Sequence, residues 1–108
     1  MHLSIKTKEQ APLFIATVAG EIDAHTASEL RDCLKKAAND GFTEIIIDFS
    51  QVPFIDSTGI GVLVGALRRA RENNGSVTLV GVRDNVERIF VLLGLDEQFI
   101  LTEDHPSV

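Results

Sequence analysis

With 108 residues, 44% hydrophobic and 24% charged, the chain has the make-up of one globular domain with a core of ordinary size. A formal charge of −6 excludes a nucleic-acid or anionic-membrane binder working through a broad basic face, and the single cysteine, Cys33, excludes an internal disulfide and a multi-cysteine zinc site. Residues 1–8 carry no apolar signal core and the uncharged central run 57–67 is too short to span a bilayer, so a soluble cytoplasmic protein is expected.

Leu3, Ile5 and Thr7 alternate with polar residues and predict a half-exposed first strand. Gln10-Ala11-Pro12 reads as a turn, and residues 13–19 as a second, more buried strand. Gly20-Glu21-Ile22-Asp23 follows, with Asp23 placed to cap a helix. In that helix Ala27, Leu30, Leu34, Ala37 and Ala38 share one face, Asp32 and Lys36 are spaced as an i,i+4 pair, and Gly41 suits the left-handed C-terminal position. Cys33 flanks the apolar face, where packing is its expected role.

The β-branched run Glu44-Ile45-Ile46-Ile47-Asp48-Phe49 predicts a buried third strand. After it stands Asp56-Ser57-Thr58-Gly59-Ile60-Gly61, and from Ile60 onward Leu63, Val64 and Leu67 recur at helical spacing. This second helix closes on Arg68, Arg69 and Arg71, where cations offset the dipole, and ends near Asn74-Gly75. Val77-Thr78-Leu79-Val80 predicts a fourth strand. Asp84 and Glu87 resemble a capping box for a third helix with Val86, Ile89, Phe90 and Leu93 on its apolar face and Gly94-Leu95 at its end. Phe99-Ile100-Leu101 predicts a short closing strand, and residues 102–108 a loose tail.

The order β-β-α-β-α-β-α-β predicts a single α/β domain over residues 1–108, its core at about 3–101, with a mixed, mostly parallel sheet. In such a sheet the loops after the second, third and fourth strands gather at the strands' carboxyl end, where α/β folds place their sites. Those loops carry Glu21 and Asp23, then residues 53–57, then residues 82–84. Ser57 is thus expected beside Asp23 and Asp56, on a strand-to-helix turn with open backbone N–H groups and the positive end of a helix dipole. A negative group on Ser57 suits that place, which makes Ser57 a candidate phosphorylation site; the alternative is that Asp56 or Ser57 is an ordinary helix cap.

Enzyme patterns fit less well. Gly59-Ile60-Gly61 starts a dinucleotide fingerprint, but Val64 stands where its third glycine belongs; a hydrolase elbow lacks its first glycine, with Ile55 in that position. A Ser57–His25–Asp23 triad and an Asp23–Asp48–Asp56 metal site rest on shared location alone. His2 and His105 are terminal and read as solvated. A phospho-aspartate receiver would need acids after the first strand, where Lys6-Thr7-Lys8 stands, and a lysine in the region 95–102, which has none. The face of the second helix opposite its sheet side, Gly61, Val62, Gly65, Ala66 and Arg69, is small and weakly apolar. It is either a docking surface or a face that another element covers.

At this point the residues resemble a family. Asp56-Ser57-Thr58-Gly59-Ile60-Gly61, the preceding run 45–50, the earlier Gly20-Glu21-Ile22-Asp23 and the later Phe90-Val91-Leu92-Leu93-Gly94-Leu95 look like the STAS-domain anti-sigma factor antagonists of bacteria, in order from Leu3 to about Leu101. The resemblance implies a non-enzymatic binding protein without a cofactor of its own. Unphosphorylated, such proteins bind an anti-sigma factor and free the sigma factor. The anti-sigma factor is also a serine kinase that uses its own ATP, and a metal-dependent serine phosphatase reverses the modification. Carried onto this chain, the acceptor is Ser57, with Asp56 and Asp23 beside it and Thr58 an adjacent hydroxyl. With the outer face of the second helix taken as the docking surface, the partner-binding residues are expected to be Asp23, Asp56, Ser57, Thr58, Gly61, Val62, Gly65, Ala66 and Arg69. The resemblance also admits a STAS scaffold subunit of a stress-sensing complex, and the residues alone admit a small hydrolase or phosphoryl carrier using Ser57.

Overall fold

The computed structural model describes residues 3–103. Strands β1 (Ser4–Gln10), β2 (Leu13–Ala19), β3 (Glu44–Gln51), β4 (Ser76–Val80) and β5 (Ile100–Thr102) form one sheet in sequential order. β1 and β2 pair antiparallel through the tight turn at Pro12, and the three later pairs are parallel. Helices α1 (Ala27–Asn39), α2 (Ser57–Glu72) and α3 (Asp84–Leu92) provide the crossovers. Right-handed crossovers between strands laid down in one direction put successive helices on the same side of the sheet. The packing agrees: Ala16 and Val18, Ile45, Ile47 and Phe49, and Val77 and Leu79 share one core with Leu30 and Leu34, Leu63 and Leu67, and Val86 and Phe90. Ile15, Ile46 and Val80, alternating with those residues, form a smaller apolar cluster on the other face.

The helix ends follow local chemistry. Gly41 (φ +92°) and Gly94 (φ +70°) take the left-handed conformation, and the N–H groups of Phe42 and Leu95 return to the carbonyls of Ala37 and Phe90. Asn74 (φ 59°), and not Gly75, is the left-handed residue after α2. Cys33 is half-buried against the core, and desolvation pushes its thiol pKa up.

Three local details depart from expectation. Lys36 pairs with Asp40 at 2.7 Å rather than with Asp32, because Asp40 is the C-cap and the lysine reaches down the last turn toward it. No capping box forms at α3: Arg83 is the N-cap, without a side-chain bond, and Asp84 is already helical. The Arg83 side chain is drawn away, its Nε donating to the Ser50 carbonyl at 3.1 Å. β5 starts one residue late. Phe99 is buried ahead of it, its ring 5.7 Å from that of Phe90, and Thr102 belongs to the strand, not to a tail. The rest of the expected tail beyond residue 103, with His105, and the N-terminal His2 lie outside the described residues.

Candidate functional site

The loops that follow β2 and β3 are stitched together. Ile22 and Ile55 form an isolated parallel bridge; the Ile22 N–H donates to the Phe54 carbonyl at 3.0 Å, and the Asp56 N–H to the Ile22 carbonyl at 3.0 Å. Asp23 and Asp56, each one residue past the bridge, therefore stand on neighbouring strands of chain. The loop after β4 closes the group, because Arg83 holds Ser50 and the Asn85 side-chain amide donates to the Pro53 carbonyl at 2.8 Å. All three loops thus meet at one end of the sheet.

At the start of α2, Asp56 is the N-cap, extended in backbone, and its carboxylate accepts from the Gly59 N–H at 3.1 Å. The Ile60 N–H is taken by the Asp56 carbonyl, so the N–H groups of Ser57 and Thr58 are the open donors of the first turn. Because Asp56 does the capping, Ser57 is left as the first helical residue. It is exposed, and its hydroxyl makes no hydrogen bond among the described residues. Thr58 is exposed as well, so the one-residue step into the helix does not hide it.

Gly59 is buried for a specific reason. A Cβ there would lie 2.6 Å from Ile22 Cγ2 and 2.6 Å from Ile55 Cγ1, inside the bridge on which the helix start rests. Gly61, two residues on, faces open space.

Asp23 organises the turn ahead of α1. Its carboxylate accepts from the N–H groups of His25 at 2.9 Å and Thr26 at 3.1 Å, while its own N–H donates to Thr26 Oγ1 at 3.0 Å. The buried Thr26 hydroxyl in turn donates to the Glu21 carbonyl at 2.7 Å. Thr26 is the formal N-cap, and His25 lies in the turn rather than in the helix. The backbone N–H of His25, then those interactions with Thr26, hold the half-exposed Asp23 carboxyl below its ordinary pKa, so it is a fixed negative charge at neutral pH. Both amides go to Oδ1, and among the described residues the His25 imidazole makes no hydrogen bond to the carboxylate, so the arrangement is not that of a Ser–His–Asp relay. Among the described residues no three His, Cys, Asp or Glu side chains gather as a metal-binding group.

The outer face expected on α2 is corrected by its neighbour. Val62 is only 8% exposed and Ala66 only 4%. Helical period locates the stripe that meets the sheet, but α1 lies beside α2 in the same layer and covers a second stripe. What remains accessible is a shallow groove of about 260 Å³ lined by Arg31 from α1 and by Thr58, Gly61, Val62, Gly65 and Arg69. Val62 is its floor. Val62→Ala should therefore lower stability by about 1.5 kcal/mol, the loss of two buried methyl groups. Thermal and urea unfolding measure this; an unchanged midpoint would mean that the valine is not packed.

Two residues beside the site escaped the reading by period and motif. Phe54, 44% exposed, stands at the mouth of the loop before Asp56; alternation with the buried Ile55 was the signal for its outward position. Arg31 forms the far wall of the groove, and only the helix pairing reveals it.

The STAS domain family model matches residues 4–107. This chain belongs to the STAS domain family. It is 33% identical over 103 residues to the anti-sigma-B factor antagonist of Staphylococcus aureus, covering 95% of each chain. In structure it is similar to an anti-sigma factor antagonist from Mycobacterium paratuberculosis, with a TM-score of 0.83 and 26% identity over 94% of this chain and 86% of that one. The Bacillus cell fate determinant SpoIIAA in its phosphorylated form shares the fold at a TM-score of 0.74, with 23% identity over 91% of this chain and 90% of that one. In this STAS domain the Asp-Ser-Thr-Gly element is the capped first turn of α2, and no helix among the described residues is long and apolar enough to cross a membrane.

Proposed function

We propose that this STAS domain is an anti-sigma factor antagonist controlled by phosphorylation of Ser57. The observation that carries the reading is the free Ser57 hydroxyl: exposed, unbonded, and first in a helix whose cap is already supplied by Asp56. The hydroxyl is not needed to build the fold, so it is available to a kinase, and a phosphate on it meets the open N–H groups of the first turn. Relatives named as anti-sigma-B factor antagonists, matched over nearly the whole chain, support the assignment.

In this reading the domain is not an enzyme and holds no cofactor. It acts in the cytoplasm on an anti-sigma factor that is itself a serine kinase and brings its own ATP. Binding of the unphosphorylated form releases the sigma factor, and a metal-dependent serine phosphatase restores that form. The contact surface is the loop end with Asp23, Asp56, Ser57 and Thr58, continuing along α2 through Gly61, Gly65 and Arg69. Val62 and Ala66 support that surface from beneath.

The test is reaction of the purified domain with ATP, alone and with its cognate anti-sigma kinase, followed by phosphopeptide mapping. Alone it should neither label itself nor turn over ATP. With the kinase, one phosphate should appear on Ser57, and Ser57→Ala should fold, bind the kinase and resist inactivation. Phosphate on Thr58 with Ser57 unmodified would sink the site assignment, and self-labelling would favour a phosphoryl carrier.

A further inference from the structure

The arginines of α2 are used unequally. Arg71 is tied down: Nη1 donates to Gln98 Oε1 at 3.1 Å and Nη2 to the Gln98 carbonyl at 3.2 Å, fastening the helix end to the segment before β5. Arg69 is not. Its Nε and Nη2 are shielded from solvent, and they are the buried side-chain donors without a partner among the described residues. The guanidinium folds back one turn along the helix, with Nη1 lying 3.4 Å from where a Cβ on Gly65 would stand. The missing side chain at Gly65 is what lets a flat cation lie in the groove.

Across the groove Arg31 is held only loosely, its Nε 3.6 Å from Asp32 Oδ1 with both side chains largely exposed. The groove of about 260 Å³ therefore contains two cations and no anion among its lining residues, in a chain whose formal charge is −6. Buried, unpaired N–H donors on a charged group are costly; a carboxylate entering the groove meets Nη1 first, and a turn of the Arg69 side chain brings the now-shielded Nε–Nη2 edge onto it as a fork. The domain's own phosphate does not fill this place: Ser57 lies twelve residues earlier, about 18 Å along the helix axis.

We infer that the groove between α1 and α2 is a receptor for an acidic side chain of the binding partner, gripped by Arg69 and Arg31 over the bare backbone of Gly61 and Gly65. This rests on the proposed function for the partner's identity and adds the chemistry of its contact. The partner segment that enters is an Asp or Glu flanked by small or apolar residues, since Val62 forms the floor and glycines form one wall. The groove continues from Thr58, so this contact and the Ser57 contact belong to one footprint: a phosphate-sensitive end and a charge-paired end.

Two measurements test it. In calorimetry with the unphosphorylated domain and the cognate anti-sigma kinase, Arg69→Gln should weaken binding about tenfold or more and flatten its salt dependence, with Arg69→Lys intermediate. Arg69→Gln should unfold no earlier than the wild type, since it removes an unpaired buried cation. Binding within about twofold of wild type would overturn the inference while leaving the proposed function intact. The second measurement does not need the partner, so it decides the groove even if the kinase fails to bind the wild type and the functional reading falls. A blocked Gly-Glu-Glu-Gly peptide is titrated into domain labelled with ¹⁵N-arginine. The Arg69 Nε–H resonance should shift, and in Arg31→Gln it should shift less. No shift, or a stronger response to inorganic phosphate than to the peptide, would overturn the assignment to a carboxylate.

Discussion

Phosphorylation of Ser57 should lower affinity for the anti-sigma factor about a hundredfold, equivalent to about 2.7 kcal/mol, while the free domain keeps its backbone. The modification adds about −1.5 to −2 charges at neutral pH. Within the domain that charge is well placed: the open N–H groups of Ser57 and Thr58 and the helix dipole favour it, and Asp56 already completes the cap. Ser57 is exposed, so no core contact is disturbed. Toward a partner the same charge is poorly placed. The Ile22–Ile55 bridge brings the Asp23 and Asp56 positions together, and backbone N–H bonds keep Asp23 ionised. A surface closing over this end must desolvate a dianion flanked by carboxylates, and repulsion plus desolvation at such a contact is of the size required. On the proposed function, the switch should therefore work by local exclusion. Calorimetry of both forms against the partner measures the loss, and overlaid amide spectra of the two free forms test the mechanism. Shifts confined to the first turn of α2 and its flanking loops are expected; backbone changes spreading through the sheet would make the switch conformational instead.

The parts of this molecule that were legible in its sequence are those set by neighbours along the chain. The run at residues 44–49 became β3 because β-branched residues in a short block suit a strand buried on both faces, and Gly41 and Gly94 close helices because they take positive φ easily. Asp56 and Ser57 could be placed at a strand-to-helix turn for the same reason, although whether the aspartate or the serine capped the helix was decided by the fold. What was not legible depends on partners distant in sequence. Hydrophobic period set Ile60, Leu63, Val64 and Leu67 against the sheet, and of these Val64 is only partly buried, whereas Val62 and Ala66 are buried because sequential strand order sets α1 beside α2. Asp84 and Glu87 had the spacing of a capping box, yet Arg83 turns to Ser50, thirty-three residues away. Arg31 belongs to the site only through the same helix pairing.

The two glycines of the Asp-Ser-Thr-Gly-Ile-Gly element should respond to substitution with opposite signs. Gly59→Val should lower stability by roughly 3 kcal/mol, the upper end for forcing extra methyl groups into a packed core. Even its Cβ would come within 2.6 Å of side-chain atoms of Ile22 and Ile55. Those isoleucines are stiff at χ1 and fully buried at the bridge joining the two loops, so they have nowhere to retreat. The melting temperature should fall by about 12 °C at about 4 °C per kcal/mol. Partner binding should weaken along with it, because the bridge positions Asp23 and Asp56. Gly61 is the reverse case. It is exposed in the helix, and a Cβ added there would have no neighbouring side chain or strand within 4 Å, so Gly61→Ala meets no obstacle. It should gain about 0.5–1 kcal/mol from restricting the unfolded chain and from helix propensity. The methyl group would nevertheless stand in the groove between Arg31 and Arg69, where the inferred partner contact needs bare backbone. Gly61→Ala should thus melt higher and bind the anti-sigma factor more weakly. Unfolding scans and calorimetry on both variants separate the roles: a Gly61→Ala domain that is both more stable and fully competent to bind would remove the groove from the interface.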